Sequence, residues 1–133
     1  MGASGDAGVH VAIIAGAGRF PLHVAREAKR RGGRVVVLGI RGWADPALAG
    51  QVDSYEEVAV GEVGTLIARL KSHGMTRVIM AGKVTKDVLL TPSATFDAET
   101  RRLLGEANEF SVNGLLGGLA RRLAEEGITL LDS

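Results

Sequence analysis

Hydrophobic positions along the chain fall into two kinds of pattern. Val9–Ala15, Arg34–Ile40 ("RVVVLGI"), Thr76–Ala81 ("TRVIMA") and Ile128–Leu131 ("ITLL") are short, nearly unbroken apolar runs rich in β-branched residues. Runs of that length and composition suit strands buried on both faces. Ser54–Val60 ("SYEEVAV") reads as a further short strand, nearer a sheet edge because of its two glutamates. Between these runs the period lengthens. Val63, Leu66, Ile67 and Leu70 follow the i, i+3, i+4, i+7 spacing of one helical face, and Gly74 ends that helix. Pro21–Arg31 opens with a proline, which the first helical turn tolerates, and closes on Lys29-Arg30-Arg31, where the helix dipole favours cations; Gly32-Gly33 stops it. Val112, Leu115, Leu116, Leu119 and Leu123 mark a last helix that ends at Gly127.

Strands alternating with helices in this order predict an α/β fold: a Rossmann-like three-layer sandwich with a mostly parallel sheet. A small helix-like stretch separates Asp45 from Asp53. Val84–Phe110 fits the pattern worst: "TPSATFD" reads as a loop, with a helix near Asp97–Leu104. The expected organisation is a flexible tail over residues 1–8 and a single domain over residues 9–133.

Composition narrows the possibilities. The chain has 133 residues, 46% hydrophobic and 23% charged, with a net charge of +1, which suits one globular domain. Near-neutral charge and 4% aromatics argue against a nucleic-acid partner. The absence of cysteine excludes disulfides, thiolate nucleophiles and Cys-ligated metal. "MGASGDAG" lacks the basic and apolar regions of a signal peptide, and no apolar run would cross a bilayer, so a cytoplasmic location is expected.

Ligands of open parallel sheets bind beyond the C-terminal strand ends. Gly16–Pro21, Arg41–Pro46 ("RGWADP") and Gly82–Asp87 ("GKVTKD") fall there. "GAGRFP" nearly spells a dinucleotide loop, but Pro21 replaces the third glycine and Arg41 stands where an acidic residue is expected. Gly16 and Gly18 allow close backbone approach, Arg19 adds a fixed charge, and the helix start offers amides to an anion. Arg41 could accept a 2′-phosphate, which keeps an NADP reading open. Lys83 and Lys86 could reach a phosphate as point charges. A plain βα turn and solvated surface lysines are the alternatives. Trp43 reads as packing first and as a ligand cover second. His10, His23 and His73 form no metal pattern, and no pair of carboxylates stands out as acid and base.

The stretch "IAGAGRFPLHVAREAKRRGGRVVVLGIRGWADPAL" resembles the opening of the LpxI-type UDP-2,3-diacylglucosamine pyrophosphatases, and "GEVGTLIARLKSHGMTRVIMAGKVTKD" continues the pattern. The resemblance runs from Val9 to Ser133 and covers the N-terminal domain of that family. It implies hydrolysis of UDP-2,3-diacylglucosamine to UMP and lipid X in lipid A biosynthesis, with a divalent metal, usually Mg²⁺. It implies substrate contacts from Gly16, Gly18, Arg19, Pro21, Arg41, Gly82 and Lys83. Catalytic and metal-linked acidic residues would belong to a C-terminal domain. No catalytic residue, metal ligand or bound cofactor is therefore assigned to this chain, which alone is expected to be inactive. The expected partners are the nucleotide-diphospholipid substrate, that C-terminal domain, a peripheral inner-membrane surface and further copies in a homo-oligomer. "FSVNGLLGG" departs from the family's charged start to the last helix: Asn113 takes an acidic position and Gly117 the arginine. Gly114, Gly117 and Gly118 cost roughly 1 kcal/mol each relative to alanine and could permit close packing on another element. The alternatives to the enzyme reading are a nucleotide- or NADP-binding module without chemistry, or a dimerisation domain using the glycine-rich helix.

Overall fold

The computed structural model describes residues 10–84, 96–107 and 112–132. In chain order the elements are β1 (Val11–Ala15), α1 (Phe20–Arg30), β2 (Val35–Ile40), a 3-10 turn (Pro46–Gln51), β3 (Ser54–Val58), α2 (Val63–Ser72), β4 (Arg77–Ala81), α3 (Ala98–Ala107), α4 (Val112–Glu125) and β5 (Thr129–Asp132). The strands form one sheet in the order β3-β2-β1-β4-β5, and all four pairings are parallel. The expected Rossmann-like α/β sandwich is therefore what the chain adopts.

Every residue of β1 and β2 is buried. Both faces must then be covered, and their residues divide by parity. Val11, Ile13, Ala15, Val35 and Val37 pack with Ala25 and Ala28 of α1 and Leu48 of the 3-10 turn. Ala12, Ile14, Val36, Leu38 and Ile40 pack with Leu66, Ile67 and Leu70 of α2, Leu103 of α3, and Leu115, Leu119 and Leu123 of α4. Strand ends differ from the sequence expectation by one or two residues. β3 stops at Val58 rather than Val60 because Val58 pairs with Ile40, the last residue of β2, leaving no ladder beyond. The last helix ends at Glu125, and Gly127 follows in a left-handed turn at φ +77°. Val9, the tail over residues 1–8 and most of "TPSATFD" lie outside the described residues.

The start of α2 is held from a distance. Glu62 supplies no side-chain cap. Instead the Val63 amide donates to Thr100 Oγ1 at 3.0 Å and the Gly64 amide to Asp97 Oδ2 at 2.9 Å. Asp97 also caps α3, its Oδ1 accepting from the Thr100 amide at 2.9 Å. One carboxylate thus terminates two helices, and a Cβ on Gly64 would stand 3.0 Å from it. The Thr100 hydroxyl, fully buried, lies 2.9 Å from the Gly61 carbonyl and 2.7 Å from Asp97 Oδ1, and its single proton serves one at a time. Burial pushes the Asp97 carboxyl up. The amide and hydroxyl of Thr100 and the amides of Gly64 and Thr65 outweigh that and hold it below the usual aspartate range.

Charged pairs tie the helices together. Glu126 accepts from Lys71 of α2 at 2.8 Å and from Arg122 of α4 at 2.6 Å, and these two cations hold its carboxyl down to about 2. Arg122 also reaches Glu99 of α3 at 3.2 Å. Within α4, a Cβ on Gly118 would come 3.2 Å from Leu103, so this glycine lets α3 lie close; Gly117 faces open space.

Two outcomes follow for stability. Asp97→Ala removes both caps and is expected to cost about 2 kcal/mol in urea unfolding. Because the native Asp97 carboxyl titrates below its unfolded value, its contribution is complete above about pH 4 and fades as pH falls through the depressed native value. Asp97→Asn should therefore flatten that part of the acid unfolding profile. Gly117→Ala should raise stability by up to about 1 kcal/mol, whereas Gly118→Ala gains nothing because the new methyl meets Leu103. Thermal melts of the two variants check this.

Candidate functional site

In the strand order β3-β2-β1-β4-β5 the chain reverses direction across the sheet between β1 and β4. The loops leaving those two strands meet at the C-terminal edge. The Gly16 amide donates to the Ala81 carbonyl at 2.8 Å, and Ala17 and Lys83 exchange two main-chain bonds, each 2.9 Å. The pair is antiparallel, the one departure from parallel pairing among the described residues. Glycine is required on both sides of it. A Cβ on Gly16 would fall 2.6 Å from the Lys83 carbonyl oxygen. Gly82 has φ +94°, and its Cβ would fall 2.8 Å from the Ala17 carbonyl oxygen.

Beyond this pair the α1 loop turns outward. Gly18 sits at φ +98° with nothing within 4 Å of a Cβ. Arg19 is the N-cap of α1, and Pro21 is buried in the first turn, where no amide is needed. The Leu22 amide is already committed to the Arg19 carbonyl at 3.0 Å. The amides of Gly18, Arg19 and Phe20 have no acceptor among the described residues. Ala17, Gly18, Arg19, Phe20, Gly82 and Lys83 border an open depression of about 470 Å³. The Arg19 and Lys83 side chains are exposed and have no carboxylate partner among the described residues. That contrasts with Lys29, Arg41, Arg69, Lys71 and Arg122, each of which faces an acidic side chain.

The edge thus brings together Gly16, Gly18, Arg19, Pro21, Gly82 and Lys83. Arg41 follows β2 at the same end of the sheet but does not border this depression; its Nε lies 3.8 Å from the Glu57 carboxylate. Trp43 is half-buried on the α2–α4 side of the core, a packing role. Asp45 of "ADP" accepts from the Ala47 amide at 2.9 Å and caps the 3-10 turn that Pro46 opens. Lys86 and Asp87 lie outside the described residues. His73 Nε2 lies 2.7 Å from Glu56, which also takes Arg69 at 3.1 Å, so that cluster fastens α2 to the edge strand β3.

Tyr55 was not visible as a feature of the sequence. Its hydroxyl is buried, with no hydrogen-bond partner among the described residues, and occupies the space a side chain at Gly39 would need. Burial, then Glu57 and Asp45, push its phenol up. The signal was the glycine inside "RVVVLGI", since a glycine within a strand marks the close approach of another group.

Among the described residues no three His, Asp or Glu side chains stand together to hold a metal ion. The edge presents cations instead, so these residues do not fit a Mg²⁺ site. No described helix is long and apolar enough to cross a membrane.

Fold and edge together define a Rossmann-like domain with a cationic, glycine-built edge at the C-terminal ends of its strands. The model of the LpxI N-terminal domain matches residues 10–133, and the chain belongs to that family. A curated relative, UDP-2,3-diacylglucosamine pyrophosphatase LpxI from Caulobacter vibrioides, is 33% identical over 76 residues. That alignment covers 56% of this chain and 26% of the relative, so the chain matches about a quarter of the relative's length. Among solved structures, a UDP-glucose-4-epimerase from Stenotrophomonas maltophila, with bound NAD and formylated UDP-arabinopyranose, superposes with a TM-score of 0.60 at 15% identity. The match covers 92% of this chain and 36% of the epimerase, and it speaks for the fold. A GalE-like L-threonine dehydrogenase from Cupriavidus necator matches at a TM-score of 0.49 and 14% identity, covering 93% of this chain and 54% of that enzyme.

The geometry yields one stability test at this edge. Gly16→Ala must displace the Lys83 carbonyl and is expected to cost about 1–3 kcal/mol in urea unfolding. Gly50→Ala, in open space, serves as the control.

Proposed function

We propose that this chain is the substrate-binding N-terminal half of a UDP-2,3-diacylglucosamine pyrophosphatase. Its role is to hold the substrate's pyrophosphate at the β1–β4 edge. The observation that carries this reading is the placement of Arg19 and Lys83, two cations without carboxylate partners, on one open depression beside uncommitted amides. Lys29, Arg41, Arg69, Lys71 and Arg122, by contrast, are paired with carboxylates of the fold. Family membership and the Caulobacter relative's printed activity supply the substrate class.

Cleavage of such a substrate adds water across a P–O–P bond and leaves two phosphate monoesters. Negative charge builds on the phosphoryl oxygens in the transition state. A guanidinium and an ammonium placed beside them would stabilise that charge, and Arg19 could bind two oxygens at once where Lys83 acts as a point charge. The attacking water needs a base, and none of the described residues at this edge supplies one. The acidic catalytic groups, a metal if one is used, and the membrane-facing part of the reaction are accordingly assigned to a second domain. Gly16, Gly82 and Pro21 act by shape: the glycines admit the close crossing of two loops and the proline fixes the entry into α1. Arg41, 3.8 Å from Glu57, does not border the depression.

Titration calorimetry with UDP tests the reading. The chain should bind UDP, and the Arg19→Ala/Lys83→Ala pair should weaken binding roughly tenfold or more, since each hydrogen bond to a charged group contributes about 1.5–3 kcal/mol. Equal affinity in wild type and double variant, or no UDP binding at all, would overturn it.

A further inference from the structure

The strand ends carry a second hollow, on the α2–α4 face of the sheet. Ile14, Ile40 and Val58, at or next to the ends of β1, β2 and β3, form its buried floor. Leu66 of α2 and Leu119 of α4 wall it, and half-buried Val84 and Leu116 stand at its rim. Glu62 is the one charged residue on the wall among the described residues, and its Oε1 is committed to the Ala59 amide at 2.8 Å. We infer that this cavity receives the end of an acyl chain. The chain belongs to the same ligand whose phosphate lies at Arg19 and Lys83, so the inference rests on the proposed function.

Lining and size both favour hydrocarbon. The cavity holds about 50 Å³, room for roughly four waters or as many methylene groups. A buried water needs about two to four polar partners, whereas the side chains here are apolar apart from Glu62. An apolar void also costs stability until something apolar fills it. Position supplies the second argument. The floor lies at the C-terminal strand ends, where ligands of parallel sheets bind. Lys83 and Val84 are consecutive, yet Lys83 borders the cationic depression and Val84 the cavity. A single strip of main chain, fastened to Ala17, therefore borders both. The proposed substrate has matching chemistry: its diphosphate leaves C1 of a glucosamine ring, and an acyl amide leaves the neighbouring C2. A phosphate at Arg19 and Lys83 puts that acyl chain at the Val84 rim. The other apolar groove of this chain, beside Val24 and Ile79 on the α1 face, is bordered by the Glu27–Arg31 ion pair, which keeps water there. It is the rival seat for a chain.

Amide and methyl NMR of this chain with a homologous series tests the assignment: glucosamine 1-phosphate and its N-acetyl, N-butanoyl, N-hexanoyl and N-octanoyl forms. Every member should shift the Gly18, Arg19 and Phe20 amides. Affinity should climb about fourfold for each methylene that leaves water for the cavity, so the N-octanoyl form should bind about tenfold or more tighter than the N-acetyl form. Nuclear Overhauser contacts from the chain's terminal methyl should reach Leu66, Leu116 and Leu119. Leu116→Trp, which fills the rim, should abolish the gain with chain length and leave binding of glucosamine 1-phosphate unchanged. The wild-type series decides the question independently of that variant. Flat affinity along the series, with Gly18–Phe20 still responding, would overturn the acyl assignment and leave the proposed function standing. Contacts from the terminal methyl to Val24 and Ile79 in place of Leu66 and Leu119 would do the same. A gain with chain length and contacts at Leu66 and Leu119, but no response at Gly18–Phe20, would uphold the cavity as a hydrocarbon site and sink the proposed function. Silence toward every member would overturn both.

Discussion

The complete burial of β1 and β2 is the constraint from which the rest of this structure follows. Two adjacent parallel strands with no exposed position cannot face water on either side, so the chain must supply cover above and below. Alternate residues then choose their layer: Val11 and Ile13 lie with α1, Ala12 and Ile14 with α2 and α4. Parallel strands also need a crossover each time, and every crossover returns the chain to the same end of the sheet. The βα loops are thereby gathered at one edge before any residue in them is chosen for chemistry.

What the loops do at that edge is decided by glycine more than by charge. A parallel sheet brings the β1 and β4 exits to neighbouring positions, but side chains would ordinarily keep the following loops apart. Gly16 and Gly82 remove that barrier, and the loops lock through reciprocal main-chain bonds. Locking has a directional effect. It fixes Lys83 on the same side as Arg19 and turns the remaining open amides of the α1 loop outward. The charges are thus placed by backbone geometry rather than by side-chain contacts, which leaves both of them without structural duties.

Much of this was legible in the sequence. Nearly unbroken β-branched runs identified four of the five described strands, "SYEEVAV" suggested the fifth at an edge, and the 3.6-residue spacing identified α2 and α4. Gly16, Gly18, Arg19, Gly82 and Lys83 could be assigned to one edge because strand ends of a parallel sheet share it. What could not be read was how the loops pair. "GAGRFP" carries the same two glycines whether they approach a ligand or another stretch of backbone, and only the position of Lys83 distinguishes these. Distance in sequence also hid the double cap. Nothing in "GEVG" says that its helix start waits for an aspartate at position 97, because a capping residue is sought a residue or two upstream. Arg41 was assigned to the edge by position, and its turn toward Glu57 depends on the β2–β3 register, which the sequence does not display.

The starts of α1 and α2 are completed differently. Helix N-termini attract anions, and a Rossmann-like domain offers several at one edge. The α2 terminus is closed: Asp97 and Thr100 bring their own oxygen atoms to its Val63 and Gly64 amides. The α1 terminus has no such internal anion, since Arg19 at its N-cap makes no side-chain cap. The fold therefore satisfies one helix start with a carboxylate from its own chain and leaves the other beside two cations. Positive potential that a domain does not neutralise internally raises the local concentration of anions at that spot. The external phosphate of the proposed function would supply at the α1 start the anion that Asp97 supplies at the α2 start.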